Sequence, residues 1–154
     1  MRAFVTGTDT GVGKTYCSSL LIRALSGRGV DIVGLKPFCC GPRDDVIELS
    51  DASNNRLSLD EINPFWLKAP LSPLVAAEIE GRTLTDMELD QWWSRISQKC
   101  PNVLVEGAGG WLVPYSKQKT IADFAVRLGL PVIIVVANRL GCINHTLLTL
   151  ESIK

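Results

Sequence analysis

The chain has 154 residues, 46% of them hydrophobic, and its 16 Lys plus Arg balance its 16 Asp plus Glu. That length predicts one domain over residues 1–154, and that apolar fraction excludes a disordered chain. Zero net charge without a basic run excludes a nucleic-acid binder, and the longest apolar run, Leu130 to Ala137, is far too short for a membrane span.

The first apolar run, Arg2–Thr6, is predicted as a strand and leads into Gly7-Thr-Asp-Thr-Gly-Val-Gly-Lys-Thr15. This is a phosphate-binding loop in its required setting, between a strand and a helix. Its glycines let backbone N–H groups turn toward an oxyanion, and the helix dipole favours the same anion. Lys14 reaches the outer phosphates of ATP, and the Thr15 hydroxyl is a ligand for Mg²⁺. The loop is a variant: Thr8 stands where the strict pattern has its first glycine, and Gly7 lies one residue earlier. A helix is predicted from Lys14 to about Arg28, with Leu20, Leu21, Ala24 and Leu25 on its buried face and a stop at Gly27 or Gly29.

A second buried strand is predicted over Ile32–Lys36, which puts Lys36 of Gly34-Leu-Lys-Pro37 at its carboxyl end. Asp51, in Glu48-Leu-Ser-Asp51, reads by pattern as a solvated helix residue and is of interest only as a second metal carboxylate. Ser72-Pro73 opens a helix that stops at Gly81. Thr85-x-x-Glu88 is a capping box for a helix through Trp92 and Ile96. The third strand, Val103–Glu106, ends in Glu106-Gly-Ala-Gly-Gly110, a carboxylate suited to Mg²⁺ followed by a turn whose N–H groups are open to a ligand. Thr120 begins a short helix ending at Gly129. The fourth strand, Val132–Ala137, leads to Arg139-Leu-Gly-Cys-Ile-Asn144, read either as an anion site at a helix N-terminus or as plain capping by Asn144. A last helix is predicted from near Asn144 to Lys154, and its open end suggests a partial sequence rather than a frayed terminus.

Alternating strands and helices of this kind specify an α/β fold: a phosphate-loop NTPase-like parallel sheet with helices on both faces, in three layers. Ligands in such sheets bind beyond the carboxyl ends of the strands, where the phosphate loop, Lys36 and Glu106 all fall. Five cysteines without a secretion signal predict reduced thiols and a cytoplasmic setting, and one histidine is too few for an ordinary zinc site.

Taken together, the phosphate loop, Gly34-Leu-Lys-Pro37, Asn63-Pro-Phe65, Pro70-Leu-Ser-Pro73, Val105-Glu-Gly-Ala-Gly-Gly-Trp111 and Leu140-Gly-Cys-Ile-Asn-His145 resemble the dethiobiotin synthetases, in order along nearly the whole chain. The resemblance implies closure of a cyclic urea from 7,8-diaminononanoate, CO₂ and ATP, through a carbamate and a carbamic–phosphoric anhydride. It implies Lys36 and Lys14 as catalytic lysines and Thr15, Asp51 and Glu106 as partners of Mg²⁺. Gly11, Val12, Gly13, Lys14, Thr15 and Tyr16 would hold the nucleotide phosphates, with Gly107, Ala108, Gly109 and Gly110 as N–H donors. Substrate would meet Thr10, Lys36, Cys40 and Gly110. Gly141, Cys142, Ile143 and Asn144 would receive its distal carboxylate across a homodimer interface. Cys40 departs from the Ser or Thr often found there.

Other readings share parts of this pattern. Amidating ligases of corrin synthesis carry a glutamine-hydrolysing domain that has no counterpart here. Dimeric ATPase switches carry an extra lysine early in the phosphate loop, where this chain has Thr8 and Asp9. An inactive remnant that only binds or dimerises is the third.

Overall fold

The computed structural model describes residues 1–154. Its strands are β1 (Arg2–Gly7), β2 (Ile32–Leu35), β3 (Phe38–Cys40), β4 (Phe65–Leu67), β5 (Asn102–Glu106), β6 (Pro114–Ser116), β7 (Lys119–Thr120) and β8 (Val132–Val135). Its helices are α1 (Lys14–Ser26), α2 (Asp44–Ala52), α3 (Leu59–Ile62), α4 (Pro73–Ile79), α5 (Asp86–Lys99), α6 (Ile121–Leu128) and α7 (Cys142–Ile153). The four predicted strands form one parallel sheet in the order β2-β5-β1-β8. Two small sheets, β3-β4 and the antiparallel β6-β7, were not legible as strands.

Side-chain alternation builds the three layers, because successive residues of a strand face opposite sides. Ala3, Val5, Ile32 and Leu104 pack on one face with Ile22 of α1 and Leu49 and Ala52 of α2. Phe4, Val33, Leu35, Val103 and Val105 pack on the other with Leu89, Trp92 and Ile96 of α5 and Phe124 of α6. Gly34 lies on the first face, and a Cβ there would come within 2.7 Å of Ile22 and 2.9 Å of Leu49. The glycine is what lets α1 and α2 both reach the sheet.

Two helices differ from expectation. The buried stripe of α1 is Lys14, Ser18, Ser19 and Ile22, while Leu20 is half-exposed on the outer side. Small serines allow the close approach to the sheet that a leucine face would block. α7 begins at Cys142, two residues ahead of the expected start near Asn144, and its N-cap is Gly141 at φ 93°, so Asn144 does not cap it. The capping box of Thr85 forms as read, and Thr120, read only as a helix start, and Ser58 of α3 carry two more.

Candidate active site

Register brings the charged residues together. Val5 of β1 pairs with Glu106 of β5, and Leu35 of β2 pairs with Val105, so Lys36 leaves the sheet level with Glu106. Glu106 shares the parity of Leu104 and therefore points to the α1 side, where the phosphate loop ends. The Lys36 ammonium lies 2.5 Å from Glu106 Oε1 and 2.7 Å from Asp45 Oδ2. Thr15 Oγ1 donates to Glu106 Oε1 at 2.8 Å. Lys14 Nζ donates to the Asp9 carbonyl at 3.0 Å, folded back over its own loop.

The loop glycines act in two ways. Gly11 and Gly13 have φ of 70° and 93°, which a residue with a side chain adopts only with strain. Gly7 is needed for space instead: a Cβ there would lie 2.7 Å from Val12 and 3.2 Å from the Lys14 side chain. That closeness explains the displaced first glycine of the motif.

Electrostatics follow from burial. Desolvation pulls Lys14 below the usual lysine range, and repulsion from Lys36 adds to it. Burial would lower Lys36 too, but Glu106 and then Asp45 outweigh it, and the net shift is upward. Lys36 is thus a fixed cation rather than a general base. For Asp45, burial raises and the Lys36 charge lowers, with a net downward shift. Glu106 Oε2 is buried without a hydrogen-bond partner. A buried carboxylate oxygen of this kind is costly unless a further cation or donor meets it.

Asp51 is a correction. It lies on the last turn of α2, exposed, six residues beyond Asp45, and lines neither cavity of the site. Asp45, in the first turn of that helix, is the carboxylate of α2 that lines both cavities, and it meets the Lys36 ammonium. Gly107 needs a second correction as a donor. Its N–H is already given to the Val5 carbonyl, and its missing Cβ leaves room for Ile121 and Phe4. Gly109, at φ 64°, is the turn residue that lines the site.

Two adjoining cavities share Thr10, Lys36, Asp45 and Gly109. The polar one, about 320 Å³, is lined by the phosphate loop from Thr10 to Tyr16 together with Glu106. The other, about 430 Å³, has an apolar wall that includes Phe38, Cys40, Pro70, Leu71 and Val113. Burial, and next the adjacent Cys39, push the Cys40 thiol up to about 11, so it enters that cavity as a neutral thiol. A larger-mouthed hollow between α4 and the β6-β7 hairpin lies apart from this chemistry. Val12 packs inward against Gly7, and Gly110 and the turn Gly141, Cys142, Ile143, Asn144 line neither cavity.

Sequence reasoning gave no role to Asn63. Its buried side-chain amide donates to the carbonyls of both Lys36 and Pro37, at 3.1 and 3.0 Å. It thereby fixes the direction in which Lys36 leaves β2. All five cysteines are free thiols, and no helix is long and apolar enough to cross a membrane.

A family model described as an AAA domain matches residues 1–154. The chain is 43% identical over 155 residues to the ATP-dependent dethiobiotin synthetase BioD of Akkermansia muciniphila, covering all of this chain and 73% of that protein. It is 40% identical over 161 residues to the protein of the same name from Yersinia pestis, covering 99% and 67%. The Anaeromyxobacter protein of that name is 43% identical over 155 residues, covering 98% and 70%.

Proposed function

The chain belongs to the ATP-dependent dethiobiotin synthetases, ligases of biotin biosynthesis that form C–N bonds, and we propose that its two cavities divide that reaction between them. The polar cavity takes the triphosphate of ATP, and the apolar-walled one takes 7,8-diaminononanoate and CO₂. The observation that carries this reading is the convergence of Lys14, Lys36, Asp45 and Glu106 on the polar cavity, with Lys36 and Asp45 also lining the other.

The reactants repel each other, so the site has to neutralise charge and fix distance more than it has to supply covalent chemistry. One amine of the substrate carries CO₂ as a carbamate beside Lys36. A carbamate oxygen attacks the γ-phosphorus, ADP leaves, and a carbamic–phosphoric anhydride forms. The second amine attacks the carbamoyl carbon, a C–N bond closes the ring, and phosphate departs. Lys14 exchanges the Asp9 carbonyl for phosphate oxygens. Lys36, held protonated, stabilises the negative charge that moves between carbamate and phosphoryl group.

The residues fit Mg²⁺. The donors are hard oxygens from Thr15, Asp45 and Glu106, too few for a closed cage, and Glu106 Oε2 has no other partner. Bound there, Mg²⁺ would supply neutralisation of phosphate charge. A cytoplasmic homodimer belongs to the same proposal, with Gly141 to Asn144 of each copy meeting the distal carboxylate of substrate in the other.

The deciding assay supplies labelled bicarbonate, ATP and the diamine. A labelled cyclic urea is expected, formed one for one with ADP; ATP turnover at the same rate without diamine would refute the ligation. Lys36→Gln is expected to lower kcat by at least about a hundredfold while ATP affinity changes less. Its unfolding midpoint has to be measured beside this, because removing one partner of a buried ion pair costs about 3–5 kcal/mol.

A further inference from the structure

The phosphate loop is tied to a distant part of the chain by one side chain. Arg139 Nη2 donates to Asp9 Oδ2 at 2.8 Å, across 130 residues of sequence. The other oxygen of that carboxylate, Oδ1, accepts the Thr10 N–H at 2.7 Å. The carbonyl of the same Asp9 holds Lys14 Nζ. One residue therefore holds Thr10, which lines both cavities, and the lysine that serves the nucleotide.

The segment that carries Arg139 is itself braced. Its N–H donates to the Ala137 carbonyl, and its carbonyl accepts the Cys142 N–H at the start of α7. Beside it, the Thr8 N–H donates to the Val135 carbonyl at the end of β8. The first half of the phosphate loop is thus fastened to the β8–α7 connection by one backbone bond and one ion pair. No helix dipole or glycine turn does this for residues 8 to 10, which precede the tight part of the loop.

We propose that Arg139 is a positioning residue for ATP binding: through Asp9 it holds the phosphate loop, and Lys14 with it, in register with the turn that opens α7. This rests on the reading of residues 7 to 15 as the cradle for ATP. Arg139 touches neither cavity, so it acts only through Asp9. Both side chains are about half exposed, at 57% and 51%, so the effect is modest in size.

The test is a double-mutant cycle on the full chain, with Arg139→Gln, Asp9→Asn and the pair combined, and with Arg139→Lys as the conservative variant. ATP affinity is measured by titration calorimetry and the unfolding midpoint by calorimetric scan. Arg139→Gln is expected to weaken ATP binding about two- to fivefold, the range open to an exposed pair. The unfolding midpoint stays where it is, the double variant binds no worse than the weaker single one, and Arg139→Lys recovers most of the loss. A role in folding alone would move the midpoint and leave affinity unchanged, which would overturn the proposal, as would strictly additive losses. Wild-type protein that binds no ATP would overturn this inference and the cradle with it. Wild-type binding with an unaltered Arg139→Gln affinity would overturn this inference alone.

Discussion

Glu106, 1% exposed, has one oxygen shared between Thr15 and Lys36 and one with no partner, and this imbalance sets the chemistry of the site. Asp45 also meets Lys36, so it balances the same cation, and in the proposed function it is the second carboxylate for Mg²⁺. Asp45→Asn is expected to raise the Mg²⁺ concentration needed for half-maximal ATP turnover about tenfold or more. Asp51→Asn, on the exposed last turn of α2, is expected to stay within about twofold. Magnesium titrations of the two variants check this, and the reverse order would restore Asp51 to the site. The choice shows what could be read without coordinates. Lys14, Thr15, Lys36 and Glu106 were legible because a contiguous loop or a strand end fixes each. Asp45 was not, because it sits in a helix whose start was never delimited. The signal was present: Gly41-Pro42 followed by Asp44 and Asp45 is the acidic first turn of a helix. Choosing among Asp44, Asp45 and Asp51 still required the phase of that helix against the sheet.

At the level of elements, local chemistry was the most readable part. Thr85, Thr120, Pro73 and Gly129 mark helix ends as their types demand. The short strands β3, β4, β6 and β7 were not readable, since two or three residues carry no period and their pairing is decided by partners far along the chain. One capping box reaches beyond its own helix. Glu61 caps α3 at Ser58 and also meets Lys99 on α5, at 2.6 Å. The Lys99 bond, followed by the Ser58 backbone N–H, lowers the Glu61 carboxyl from the ordinary 4.5 to about 2. A carboxylate with a depressed folded pKa stabilises the fold above its unfolded value and loses that contribution as pH falls through the folded one. The contribution is therefore complete above about pH 4.5 and gone below about pH 2. Glu61→Gln is expected to be less stable than the parent near neutrality and to lose stability less steeply between those values. Urea unfolding at a series of pH values reads both, and parallel curves for the two proteins would deny the coupling.

For the molecule as a whole, the sheet has two edge strands, β2 and β8. β8 pairs only with β1, so its outer edge offers unpaired backbone groups. The turn and helix that follow it expose Leu140, Ile143, Leu147 and Leu148 at 103, 75, 56 and 63%. Ile143, Leu147 and Leu150 recur at helical spacing, and a stripe of that kind on the surface is expected to be covered. The residues that begin this helix, Gly141 to Asn144, line neither cavity of their own copy, and in the proposed dimer they serve the neighbouring one. Shape and function then depend on the same contact. Leu147→Glu puts a charge into that stripe without touching the phosphate loop, Lys36 or Glu106. It is expected to convert the dimer to monomer in sedimentation velocity and to raise KM for the diamine by about tenfold or more, the cost of roughly 1.4 kcal/mol of lost carboxylate binding. ATP affinity should change little, because Leu147 lines neither cavity. A variant that stays dimeric with an unchanged KM would place the interface elsewhere, and a monomer with an unchanged KM would separate the substrate carboxylate from the partner's α7 turn.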